Sequence, residues 1–169
     1  MFYFIVVLLI IFWVYIKFFR NRKNRNGQYA SSSEEKQNRE LVEKLKNEAS
    51  NGVVQSMIWL GDIYSQGPTG IPRDERKALK YWKMAADYGN TDMSFKAGLL
   101  IGRLDENYVE AFRYIKCAAD AGNPDAMYTL ANFLANGWGC QADKHAAYHY
   151  MKLAAESGQK NAIYELQNW

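Results

Sequence analysis

Apolar residues fall along this chain in two regimes. From Met1 to Ile16 no side chain is charged and twelve of the sixteen are Leu, Ile, Val or Phe, whereas after residue 40 apolar residues recur every three or four positions among polar ones. The first regime predicts a helix that crosses a bilayer, because the hydrocarbon core requires about 20 apolar residues, with a range of roughly 17 to 25. The run continues to Phe19. Lys17 falls near its end, where a long stem snorkels to the headgroups, and Tyr3, Trp13 and Tyr15 suit the interfaces. Residues 1–19 are therefore read as a transmembrane anchor. A cleaved secretory signal would need a basic segment ahead of the apolar core and small residues behind it; Phe18, Phe19 and Arg20 stand there instead. Residues 20–33, with Gly27 and the Ser31-Ser32-Ser33 run, read as a basic juxtamembrane segment and flexible tether.

The second regime predicts helices throughout. Ser32 with Glu35 fits a capping box, and Leu41, Val42, Leu45 and Ala49 supply an apolar stripe, so a capping helix is expected over 34–52. Beyond it the sequence repeats itself. The pairs Ala85-Ala86, Ala118-Ala119 and Ala154-Ala155 lie 33 and 36 residues apart, each followed by a glycine, at 89, 122 and 158. Registering on them aligns Ala78, Ala111 and Ala147, then Tyr81, Tyr114 and Tyr150, then Trp82, Ile115 and Met151. Upstream, Leu60-Gly61 aligns with Ala97-Gly98 and Leu130-Ala131, and Gly67 with Gly137. A period near 35 marks stacked helix hairpins. Small residues let the two helices of a hairpin approach, large ones fill the space between hairpins, and the glycines allow the left-handed turn that ends the second helix. Each unit exposes an apolar face that only its neighbour covers, which predicts an all-α, short right-handed solenoid of antiparallel hairpins.

These residues resemble the Sel-1-like repeat family, related to tetratricopeptide repeats. Its pattern is read here as Leu60-Gly61-x-x-Tyr64-x-x-Gly67, followed by Asp74-x-x-Lys77-Ala78-x-x-Tyr81-Trp82-x-x-Ala85-Ala86-x-x-Gly89. The third copy keeps Leu130, Gly137, Gly139, Asp143, Ala147, Tyr150, Ala154-Ala155 and Gly158; the second is shorter and lacks the Gly-x-Gly loop. The expected division is a repeat domain over 53–169, with repeats at about 53–89, 90–122 and 123–158 and a C-terminal cap helix over 159–169. Residues 34–50 align with a second helix, and Ala162, Tyr164 and Leu166 with a first helix, as befits atypical terminal units.

Charge refines this picture. The chain carries +3 overall, but Lys17, Arg20, Arg22, Lys23 and Arg25 all precede residue 27 with no acid among them, leaving sixteen basic against eighteen acidic residues beyond. The positive-inside rule then places the repeats in the cytoplasm, as a single-pass protein of a bacterial inner membrane, with the periplasm as the alternative. A slightly acidic domain lacks the basic stripe of a nucleic-acid binder, and attraction to anionic lipid, about 1 kcal/mol per juxtamembrane Lys or Arg, accounts for the cluster.

Candidate chemistry is sparse. His145 and His149 could share a metal from one helix face, but they align with Arg76 and Lys80 on a solvent face and have no evident third ligand. Cys117 aligns with Met84 and Leu153, and Cys140 with Ile71, so both read as small buried hydrophobes. The family's cysteine-rich secreted branch, for which a penicillin-binding activity has been suggested, pairs cysteines within each repeat; these two stand in different repeats. With no phosphate-binding, dinucleotide or nucleophile motif, neither an enzyme, a cofactor, a metal nor a small-molecule substrate is expected. The resemblance implies that first helices line a concave face. One register there reads Ile58, Phe95, Tyr128 and Tyr164, bordered by Asp62, Leu99 and Asn132, a set suited to anchoring a peptide or helix. The expected function is a membrane-tethered adaptor in complex assembly, signalling or secretion, with a toxin-neutralising immunity protein as the alternative.

Overall fold

The computed structural model describes residues 33–167. The expected anchor over 1–19, the basic residues Lys17, Arg20, Arg22, Lys23 and Arg25, and Ser32 of the capping box lie outside the described residues. Among those described, no helix is long and apolar enough to cross a membrane.

Among the described residues eight helices follow one another: α1 (Ser33–Ser50), α2 (Val54–Gln66), α3 (Glu75–Asp87), α4 (Thr91–Asp105), α5 (Tyr108–Asp120), α6 (Pro124–Asn136), α7 (Lys144–Glu156) and α8 (Lys160–Leu166). Each packs against the helix before and after it, so α2/α3, α4/α5 and α6/α7 form three hairpins flanked by single helices in an all-helical solenoid. Side-chain caps set most of the starts. Asp74, Asn107 and Asp143 accept the amides of Lys77, Glu110 and Ala146 at 3.0, 3.2 and 2.9 Å at the second helices. Asn90, Asn123 and Gln159 do the same for Met93, Ala126 and Ala162 at 2.9, 2.9 and 2.7 Å. Each Asp or Asn cap is worth about 1 kcal/mol.

The hairpin interior matches a small residue on the first helix to a large one on the second. A Cβ placed on Gly61 would lie 2.2 Å from the Trp82 ring, and one on Gly98 would lie 2.7 Å from Ile115. In the third hairpin the register pair is Ala131 and Met151, both fully buried. The repeated alanines at 78, 85, 111, 118, 147 and 154 are all fully buried.

The repeat tyrosines join successive second helices. Tyr114 donates its hydroxyl to Asp87 at 3.3 Å, and Tyr150 to Asp120 at 2.8 Å. Tyr81 has only Ser50 at the corresponding place and stacks on Tyr64 instead, at 5.9 Å and 5°.

One edge of the solenoid is held together by the loops inside the hairpins. The α2–α3 loop docks on the start of α1: a Cβ on Gly70 would fall 2.8 Å from that of Glu35, and Asn38 donates to the Thr69 carbonyl at 2.9 Å. The α6–α7 loop docks on the start of α5, where a Cβ on Gly139 would be 2.0 Å from the Tyr108 carbonyl oxygen. The middle hairpin lacks such a loop. Its α4 ends at Glu106, the non-glycine residue with positive φ among those described, at 50°, and docks on the start of α3 through ion pairs. Arg103 meets Glu75 at 2.9 Å, and Arg76 meets Asp105.

Two expectations are corrected. Leu41 occupies the register of the buried Ala78, Ala111 and Ala147 but is 46% exposed; Ala111 packs on the first helix of its own hairpin, and no described helix precedes α1 to do this for Leu41. The buried stripe is Val42, Leu45 and Ala49. Cys117 is likewise exposed, not buried, because its register half-buries the longer Met84 and Leu153 and leaves a short thiol in solvent.

Two outcomes follow from this packing. Gly89 and Gly139 both have positive φ, 88° and 69°, but only the second has neighbours within reach of a Cβ. Gly89→Ala should cost about 1 kcal/mol for the left-handed backbone alone, and Gly139→Ala about 3 kcal/mol or more once the clash is added; equal urea midpoints would contradict the loop docking. Hydrogen bonds from Arg103 and then Arg73 hold the Glu75 carboxyl below its ordinary value of 4.5. A carboxylate with a lowered folded pKa contributes stability above the unfolded pKa and loses it as pH falls through the folded one. The melting temperature should therefore drop between about pH 5 and about pH 3, and Glu75→Gln should make that drop smaller. An unchanged pH profile in the variant would count against the pairing.

Candidate functional site

The expected recognition residues stand on the first helices α2, α4, α6 and α8 in differing states of exposure. Ile58 and Phe95 are half-buried against the main core. Tyr128 is half-buried against a second cluster around Met151 and Ala162. Its hydroxyl donates to Glu165 at 2.6 Å, and this bond, followed by burial, raises its pKa. Tyr164 is 70% exposed. Asn132 is half-buried, and its carbonyl accepts from Asn136 at 2.9 Å.

Asp62 and Leu99 meet in a cleft of about 610 Å³ between α2 and α4. Trp82, Leu99 and Leu100 supply its apolar surface, and Asp62, Ser65, Gln66, Lys96 and Arg103 its polar one. The other expected residues, Ile58, Phe95, Tyr128, Asn132 and Tyr164, do not line it. Lys96 bridges the walls: its ammonium pairs with Asp62 at 2.8 Å and lies 5.1 Å from the centroid of the Trp82 ring. The paired side chains are 41% and 33% exposed, so the bridge is worth at most about 1 kcal/mol. A ligand carbonyl or carboxylate could therefore take the ammonium from Asp62 at small cost. Arg103 is held by Glu75 at the rim, and the indole N–H of Trp82 is buried without a hydrogen-bond partner.

The first repeat and the middle one share this cleft, and the middle one departs from the regular pattern. Its first helix spans 15 residues where those of its neighbours span 13; Arg103 stands in register with Gln66 beside the end of α2, and the two added residues are Leu104 and Asp105, the latter paired with Arg76. Sequence reasoning missed Lys96, Arg103, Ser65 and Gln66 as lining residues. Opposite charges 34 residues apart, about one repeat, were the available signal for Asp62 and Lys96. Trp82, expected to fill the space between hairpins, lies against Gly61 inside its own hairpin and is 9% exposed, and part of its ring also walls the cleft.

The remaining candidates lie elsewhere. His145 and His149 are exposed on α7, and among the described residues no group of three His, Cys, Asp or Glu could hold a metal. Cys117 and Cys140 are both free thiols. Cys140 is half-buried, with its sulfur 3.8 Å from the Phe133 carbonyl oxygen, and burial pushes its pKa up.

Comparison with known proteins agrees with this geometry. The model of the Sel1 repeat matches residues 54–90, 93–123 and 124–159. No curated protein matches the chain. Among solved structures, a Sel1 repeat protein from Oxalobacter formigenes is 27% identical, with a TM-score of 0.66 over 76% of this chain and 98% of that one. The protein c5321, a protective antigen of uropathogenic Escherichia coli strains with the same repeat fold, is 25% identical with a TM-score of 0.65. That match covers 72% of this chain and 26% of the other.

Proposed function

This chain belongs to the Sel1 repeat family, whose members are generally protein-interaction scaffolds, and from that premise we propose that it is a non-enzymatic adaptor, tethered to a membrane by residues 1–19, that holds a protein partner on its first-helix face. The observation that carries the reading is the α2–α4 cleft. It combines exposed apolar surface at Leu99, 46% exposed, with a weakly held cation, Lys96, on its wall. This suits an extended or helical segment that places an apolar side chain on Leu99 and Trp82 and an oxygen on Lys96. Tyr164, farther along the same face, extends the surface toward α8. Confinement to the bilayer raises the effective concentration of a partner at the same membrane.

Crosslinking and affinity capture of the full-length protein from its own cells tests this. Leu99→Asp combined with Lys96→Glu should reduce recovery of the specific partner about tenfold or more, the loss expected when a central contact of about 2 kcal/mol is removed, with the helical circular dichroism signal unchanged. Undiminished recovery would move the binding surface off the cleft. Recovery of one toxic effector in a tight one-to-one complex would favour neutralisation over an adaptor role.

For topology, the positive cluster at 17–25 favours cytoplasmic repeats. Cys117, an exposed free thiol, is a native reporter of this. In spheroplasts an impermeant maleimide should leave Cys117 unlabelled until the membrane is opened, and labelling that Cys117→Ser removes from intact spheroplasts would place the repeats on the outer side.

A further inference from the structure

The second helices α1, α3, α5 and α7 all begin along the loop edge described above. The α2–α3 loop rests on the start of α1, α4 ends on the start of α3, and the α6–α7 loop rests on the start of α5. Each of these segments leads directly into the next second helix, so the contacts trace one continuous edge. Ser33, the first residue of α1, lies on it, and the chain therefore comes into the domain there.

This edge carries a cluster that repeat packing does not require. Trp138 stacks on Tyr108 at 6.2 Å and 27°, and both rest on Phe133, at 5.5 Å and 90° and at 6.2 Å and 65°. Phe133 is 7% exposed, whereas Tyr108, Trp138 and the adjoining Val109 are 41%, 45% and 63% exposed. The α2–α3 loop achieves the same docking with Pro68, Thr69 and Gly70. An indole, a phenol and a β-branched side chain together form an apolar body with polar tips, the combination that partitions to the headgroup level of a bilayer. Charges flanking the cluster are of both signs, Glu106, Glu110 and Asp143 against Arg113 and Lys144, so anionic lipid is not needed.

We infer that Tyr108, Val109 and Trp138 seat the loop edge of the solenoid on the lipid surface to which the chain is tethered. The inference rests on the membrane tether of the proposed function. Residues 20–32 cannot span more than about 45 Å even at full extension, and they join the domain on this edge, so the edge stays within about that distance of the bilayer. A seated edge stands the helices off the membrane and turns the first-helix cleft sideways, toward partners in the same plane.

The test uses tryptophan quenching in the full-length protein, reconstituted in vesicles of phosphatidylcholine brominated near the carboxyl end of its acyl chains. Subtracting Trp138→Phe, Trp13→Phe or Trp59→Phe from the native protein isolates each indole. The contributions of Trp138 and Trp13 should fall by about half or more relative to unbrominated vesicles, as expected at interfacial and membrane depth, while that of Trp59 on α2 should hold. Val109→Asp, which leaves every tryptophan in place, should relieve the quenching of Trp138 alone. A quenched Trp13 with an unquenched Trp138 would overturn the seated edge and leave the tether standing. An unquenched Trp13 would overturn both. Quenching of Trp59 equal to that of Trp138 would put the first-helix face on the lipid and also overturn the inference.

Discussion

The distance between the two helices of a hairpin is set by what can be fitted at a single crossing. Glycine faces tryptophan, glycine faces isoleucine, and alanine faces methionine in the three hairpins. In each case the small residue leaves room for the large one, as close-packed interiors demand. Once that spacing is fixed, the first alanine of each pair can bury completely, the tyrosines reach the preceding second helix, and the loops fall onto the start of that same helix. An added methyl at Gly61 would push α2 away from Trp82, and the cleft wall on the other side of that ring would move with it.

The degenerate middle repeat is where the regular architecture acquires chemistry. It has lost the glycine loop that docks the other two, and Arg103 and Arg76 take over with ion pairs to Glu75 and Asp105. Such pairs are exposed and individually weak, but they do not demand the close backbone contact that Gly139 makes. A longer α4 is therefore tolerated, and its last residue, Asp105, supplies one of these pairs.

The sequence shows which helices pair and where they end because those features depend on residue size and backbone freedom, both of which repeat with the period. The glycines that follow the alanine pairs, Gly89, Gly122 and Gly158, share one backbone conformation, with φ of 88°, 94° and 85°. Exposure is less legible. Leu41 follows the buried register but has no described helix over it, and Cys117 occupies a half-buried register with a side chain too short to reach inward. The ties between hairpins are least legible of all, since the bonds of Tyr114 to Asp87 and Tyr150 to Asp120 depend on where the far end of a ring arrives. For the candidate site, Asp62 and Leu99 are legible from register, but Lys96 is not: its position is held by Trp59 and Thr129 in the flanking copies, which share neither its charge nor its reach.

That each helix touches principally its neighbours in sequence also governs how the chain becomes ordered. The side-chain hydrogen bonds described above span 37 residues at most, the separation of Tyr128 and Glu165, so no contact waits for the two ends of the domain to find one another. Low contact order of this kind favours rapid assembly, and nearest-neighbour coupling lets one hairpin form on the template of another already present. A chain synthesised from its N-terminus can therefore complete its solenoid one hairpin at a time as each leaves the ribosome.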